Sequence, residues 1–193
     1  LPSRSRPHNI KRLVQAYLHT KASTPVLLRL DEDDPVLGGY DVPDTWAVVV
    51  GKRLPLSEYY NEIPLNLDWY GFIADDVVPE TLRWDTRLIE AAGSDGMAVP
   101  SGGNGTPHFV LGGDLVRETG WVCLPGLDRI YIDTVWGGIA KKRNVLRYVP
   151  DVVLRHHHFS NGKALFDKTY KKPNKANDKL IYETWRKDYD YTP

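Results

Sequence analysis

The sequence predicts an α/β fold in a single domain, with a mostly parallel central sheet flanked by helices. Three observations carry this expectation. Strand and helix signals alternate along the chain, and the strands are short continuous apolar runs of the kind buried on both faces. Two of these runs also end in carboxylates, at the strand ends where open α/β sheets place their ligands. "TPVLLRL" runs into "DEDDP" at 31–35, and "DWYGFIA" runs into Asp75 and Asp76.

Each element follows in order. The chain opens on "LPSRSRP" without an initiating Met, so Leu1 reads as the tail of a first strand. Asn9 is placed to cap a helix over 10–20, in which Ile10, Leu13, Val14, Tyr17 and Leu18 recur at helical spacing. "TPVLLRL" is the next strand, stopped by the acidic cluster and Pro35. "TWAVVVG" is another, followed by a short helix around "LSEYYNEI". "DWYGFIA" then delivers the acidic pair, and beyond Pro79 "ETLRWDTRLIEAAG" reads as a helix stopped by Gly93. The second half is less regular. It offers strands at "GMAVP" and "HFVLGG", a helical stretch from Asp114, a strand "RIYID", a helix "TVWGGIAKK" and a strand "YVPDVVLRHHHF". A basic loop, "KTYKKPNKANDK", reads as a mobile element before a last helix over 180–189.

Composition narrows the function classes. With 193 residues, 41% of them hydrophobic, the chain can bury one substantial core. Basic and acidic residues number 25 each, which gives no global pull on a polyanion. The single cysteine, Cys123, excludes an internal disulfide and a Cys-rich zinc site, and reads as a small core residue in a protein made for a reducing compartment. No apolar run is long enough to span a bilayer and the start lacks a signal-peptide core, so a cytoplasmic location without a membrane partner is expected.

Adjacent carboxylates behind a buried strand are costly unless something compensates them. A hard divalent ion, Mg²⁺ or Mn²⁺, does so, and it also neutralises the charge that grows on a departing nucleoside diphosphate. Asp76 and one imidazole of His156, His157 or His158 suffice as protein ligands; strand alternation puts His156 and His158 on one side and His157 on the other. The plainer alternatives are a solvated turn before a helix for the acidic pair and a hydrogen-bonded strand for the histidines. Asp133, between a strand and a helix, is the candidate general base, with helix capping as its alternative. Asp114 in "GGD" is a weaker substitute for which capping is the first reading. "SGGNGTP" lacks the Lys-Ser or Lys-Thr of a Walker loop and opens no Rossmann helix, so it reads as an acceptor-side loop. Trp121 in "TGW" is the tryptophan expected to face a sugar or acceptor ring.

Taken in order, "PSRSRP", the acidic end of the second strand, Asn61, the strand running into "ADD", "GGDLVRETGW", "IYIDTVW" and the late histidines resemble nucleotide-sugar glycosyltransferases of the GT-A fold. The likeness is to the inverting family 2, and more closely to small bacteriophage-encoded glycosyltransferases. It implies a GT-A-like, Rossmann-like sheet with a nucleotide-binding half at 1–92 and an acceptor-binding half at 93–193. It further implies a UDP-sugar donor, and a hydroxyl acceptor for which a modified base in DNA is one candidate. In that case the lysines of 168–179 and the basic run 141–143 would touch backbone phosphate. Pro2, Arg4, Arg6, Asp31, Arg53, Asn61 and Asp75 fall where the family contacts the nucleotide. Asp76, His156 and His158 fall at the metal, Asp133 at the base, and Trp121 and Asp114 on the acceptor side. Two positions depart from the family pattern: Ala74 replaces the first carboxylate of Asp-any-Asp, and Ile132 replaces the Glu of Glu-Asp. A metal-dependent nucleotidyltransferase and a catalytically silent GT-A-like binding module remain alternatives.

Overall fold

The computed structural model describes residues 1–101, 107–157, 162 and 175–189. The chain forms a mixed α/β domain built on two sheets. β1 (Pro2–Ser3), β2 (Leu27–Asp31) and β3 (Ala47–Gly51) make a three-stranded sheet that is parallel throughout. β4 (Trp69–Phe72), β5 (Val77–Pro79), β6 (Met97–Ser101), β7 (Phe109–Gly112) and β8 (Leu146–His156) make a second sheet in the order β4-β7-β6-β8-β5. Only β6 and β8 run parallel there; the other neighbours are antiparallel. The expectation of one mostly parallel sheet therefore holds for the first sheet and fails for the second. An apolar run shows that a strand is buried, but its direction is set by the connection that feeds it. Here the connections from β4 to β5 and from β6 to β7 are short, and each takes its second strand to an antiparallel neighbour.

Helices α1 (Pro7–His19), α2 (Leu56–Asn61), α3 (Trp84–Ala92), α4 (Gly113–Thr119), α5 (Ile132–Lys142) and α6 (Lys175–Asp188) fill the connections. α1 starts three residues earlier than its apolar spacing indicates, because Pro7 occupies the first turn, where its missing N–H costs nothing. The N-cap is Arg6, and Asn9 is buried inside the helix with its side-chain oxygen accepting from Arg12 at 3.1 Å. Ile10 and Leu13 of α1 cover Leu28 and Leu30 of β2, in one core that continues to Leu88, Val110 and Leu154. A second core lies around Trp136 of α5, which is fully buried with its indole N–H donating to the Val122 carbonyl at 2.9 Å. Cys123 lies in this core as expected.

"RIYID" is not a strand. The backbone N–H groups of Asp128, Arg129 and Ile130 instead donate to the fully buried carboxylate of Asp178 on α6, at 2.7, 3.0 and 2.9 Å. Tyr131 then takes a left-handed φ of 69° ahead of α5. With their donors committed to a side chain, these residues have none left for a ladder. Asp178→Ala should therefore orphan three buried or half-buried donors at once, with an expected loss of about 2–3 kcal/mol. Urea denaturation checks this, with Asp178→Asn losing less because it keeps one acceptor oxygen. A change below about 0.5 kcal/mol, the range of a neutral surface substitution, would show that the latch carries no stability.

Candidate functional site

The topology brings several strand ends to one edge. β1 and β2 end there at Ser3 and Asp31, and β4 ends at Phe72, after which the chain turns through Asp75 and Asp76 into β5. β7 is antiparallel to β4 and starts at Phe109 opposite Phe72, so His108 arrives at the same edge. β8 ends at His156 opposite Val77, and one further ladder bond, from His157 N–H to the Asp76 carbonyl at 2.7 Å, pins the two segments together.

The side chains of this edge are tightly connected. Asp75 accepts from Ser3 Oγ at 2.7 Å and from Arg6 at 3.2 Å. Burial holds its carboxyl above the usual range, with Arg6 and Ser3 opposing that push and Asp76 adding to it. Asp76, 3% exposed, lies 4.0 Å from the Arg6 guanidinium, and its Oδ1 is 3.0 Å from His156 Nε2. The His108 ring meets His156 edge-on, with centroids 4.9 Å apart. Both His108 nitrogens are buried without a hydrogen-bond partner among the described residues, and burial pushes the imidazole down to about 3, with His156 adding to the shift and Asp76 opposing it. Burial thus favours the neutral imidazole of His108 beside the Asp76–His156 pair.

A second group lies at the ends of β1 and β2. Asp31 takes Arg4 on one carboxylate oxygen at 2.8 Å and the Tyr59 hydroxyl on the other. Arg4 also forks onto Asp33, and both carboxylates favour its charged form, Asp33 the more strongly. Asp34 shapes the turn: it accepts from Ser5 N–H at 2.8 Å, from Val36 N–H at 3.0 Å and from the Tyr40 hydroxyl at 2.8 Å. This supports Ser5 at its left-handed φ of 56° between Arg4 and Arg6. Arg53 is exposed after β3, close enough to Asp33 to help hold that carboxyl below its usual range, although Arg4 is the main cause.

Asp31, Arg4, Arg6, Asp75, Asp76 and His156 thus stand together, and His158 lies outside the described residues. Ser3, Tyr59 and His108 join them without having been singled out in the sequence. Ser3 and His108 sit one or two residues from recognisable strand ends, a usable signal; Tyr59 gives none. Other residues have different tasks. Asn61 accepts from the Val122 and Cys123 N–H groups, both at 2.9 Å, and donates to the Cys123 carbonyl at 2.8 Å, so it clamps a loop where nucleotide contact was expected. Pro2 lines a groove of about 280 Å³ with Leu27, Val49 and Tyr59, the residue whose hydroxyl donates to Asp31. Asp114 follows β7 at the opposite edge and pairs with Arg117 at 2.5 Å. Trp121 is half-buried and packs on Trp136 at 5.1 Å. The basic run 141–143 is also at that far edge, with Lys142 over the Tyr189 ring at 4.7 Å and Arg143 paired to Glu118.

Asp133 lies in the first turn of α5, two residues after the N-cap Tyr131, so it is not the cap. Its Oδ1 accepts from the Thr134 N–H at 2.9 Å, and the side chain is half-exposed. α5 packs on β6 and β8, and three residues link its far end to the start of β8; no hydrogen bond or ion pair among the described residues joins Asp133 to the Asp76–His156 group.

A divalent ion fits this group in one specific way. A separation of 3.0 Å lets Asp76 Oδ1 and His156 Nε2 both reach one ion at bonds of about 2.0–2.2 Å. Among the described residues no three His, Cys, Asp or Glu side chains are placed to hold an ion together, so an ion at this point would take two ligands from them, Asp76 and His156. No family model matches the chain, and no curated protein and no solved structure matches it.

Proposed function

We propose that this edge binds a nucleotide-sugar donor, a UDP-sugar, with Mn²⁺ or Mg²⁺, and transfers the sugar to a hydroxyl acceptor with inversion. One observation carries the reading: a single edge of the fold holds the Arg4–Asp31–Tyr59 group beside the Arg6–Asp75–Asp76–His156 group. The first offers Asp31 to the N–H or hydroxyl groups of a base or ribose. The second offers Asp76 and His156 to the ion, with Arg6 behind them to balance the carboxylates. When bound, the ion neutralises the charge gathering on the departing diphosphate. Asp75, held by Ser3 and Arg6, keeps the turn in place so that Asp76 stays aimed at His156. His108, neutral, offers a hydrogen bond without adding charge. Asp133 takes the proton of the attacking hydroxyl from the other side of the sugar. No helix among the described residues is long and apolar enough to cross a membrane.

A panel of nucleoside diphosphates and nucleotide sugars, each with and without Mn²⁺, tests this by thermal shift, because a ligand of the folded state raises its stability by mass action. A shift that needs both a uridine nucleotide and the ion is expected. No shift with any nucleotide would overturn the reading. Binding with no transfer or hydrolysis would leave a silent module, and pyrophosphate release from a nucleoside triphosphate would indicate a nucleotidyltransferase.

A further inference from the structure

His108 carries a cost that its packing does not explain. It stands directly before β7, is 5% exposed, and has no hydrogen-bond partner on either ring nitrogen among the described residues. Its ring meets His156 edge-on, at an interplanar angle of 83°. A phenylalanine would make that contact as well, and the adjacent Phe109 does stack on Phe72 at 4.4 Å. A buried polar atom left without a partner destabilises a fold by more than an ordinary hydrogen bond stabilises it. The imidazole is therefore a net loss to the fold unless another state of the site supplies its partner.

The pair beside it points to that state. Asp76 Oδ1 and His156 Nε2, 3.0 Å apart, would meet one ion through bonds of about 2.1 Å at an angle of about 90°, that of adjacent ligands in an octahedron. An octahedral ion with two ligands from the described residues keeps positions for water. Water on a divalent ion is a stronger hydrogen-bond donor than bulk water, because the charge acidifies it. We propose that His108 is a positioning residue of this ion site: when Asp76 and His156 take a divalent ion, one nitrogen of His108 accepts a hydrogen bond from water on that ion. A neutral imidazole suits the task, since it offers an acceptor nitrogen and adds no charge to oppose the ion. The ring that borders His108 is that of His156, so the ion engages the side chain against which His108 packs. This deepens the ion-site reading and rests on it, but it needs neither nucleotide nor sugar.

Binding of Mn²⁺ alone, followed by loss of the free ion's electron paramagnetic resonance signal, tests this with wild type, Asp76→Asn and His108→Phe. The wild type should bind an ion that Asp76→Asn does not. His108→Phe keeps a ring against His156 and removes both nitrogens, so it should weaken that binding about 10- to 100-fold, the usual effect of losing a group behind an ion's ligands. Without the ion, the same variant should melt at or above the wild-type temperature, because no buried nitrogen is left without a partner. Affinity and stability should thus move in opposite directions, whereas replacing a merely structural histidine lowers stability. His108→Asn and His108→Gln set an amide near the positions of Nδ1 and Nε2, and one of them should recover part of the affinity. Wild-type ion binding by His108→Phe, with binding lost in Asp76→Asn, overturns the proposal and leaves the ion site standing. A His108→Phe that melts lower, or an affinity recovered by neither amide, also overturns it. Ion binding that is absent in the wild type, or that Asp76→Asn does not reduce, removes the ion site and the proposal with it.

Discussion

Asp76→Asn should abolish the Mn²⁺-dependent part of nucleotide binding while leaving the fold intact. The side chain is almost fully buried, with Oδ1 3.0 Å from His156 Nε2 and the main-chain carbonyl fixed by the His157 N–H. The amide has the same shape, so backbone and packing are kept, but the charged hard oxygen that an ion requires is gone. Removing one of two adjacent buried carboxylates also relieves Asp75, whose carboxyl Asp76 pushes upward. The ligand-free variant should therefore melt at or slightly above the wild-type temperature. If the ion tightens nucleotide binding about 100-fold, its loss removes up to about 2.7 kcal/mol of ligand-induced stabilisation, a shift of several degrees in the thermal panel. His156→Ala should reproduce the effect in weaker form, since it removes the second ligand and leaves the charge. A wild-type Mn²⁺ response from Asp76→Asn would place any ion elsewhere and remove the main support for the catalytic reading.

The sequence resolved some features well and others poorly, and the difference is physical. "TPVLLRL" and "DWYGFIA" mark strands because apolar runs bounded by charge and proline leave few alternatives, and the carboxylates behind them arrive at one edge as the expected topology requires. Most site residues were legible because they follow strand ends. What the side chains bind was not legible. Arg4 and Arg6 read as nucleotide contacts, yet in the fold they first neutralise Asp31, Asp33 and Asp75. Asn61 and Asp178 are fixed by partners about 50 to 60 residues away, a pairing that no local window contains. Asp114 shares its local pattern with a strand-end carboxylate, but β7 runs against β4, so the end it follows lies at the wrong edge. The valines of β3 show the converse: the composition predicts burial on both faces, and the fold of one chain does not supply it.

Asp133 is where the inverting mechanism is tested most sharply. If it accepts the acceptor's proton, Asp133→Asn should leave donor affinity nearly unchanged and lower kcat by roughly 10²- to 10⁴-fold, because that proton moves only in the transition state. The position makes the substitution clean. Asp133 is two residues past the N-cap and half-exposed, and its only hydrogen bonds among the described residues are to Thr134, its neighbour in the same turn. Asn keeps an oxygen for those bonds and gives up only a charge at the helix start, worth about 0.3–1 kcal/mol. Stability should therefore hardly move, and a large loss of kcat cannot be assigned to unfolding. The thermal shift produced by a uridine nucleotide with Mn²⁺ is the internal control, and it should match wild type. Near-normal transfer by Asp133→Asn would exclude it as the base. Asp114 could not then take its place, since it sits at the opposite edge in an ion pair with Arg117. The choice would fall instead on a retaining transfer, in which the acceptor hydroxyl gives its proton to the departing phosphate on the same face of the sugar and no protein carboxylate is needed.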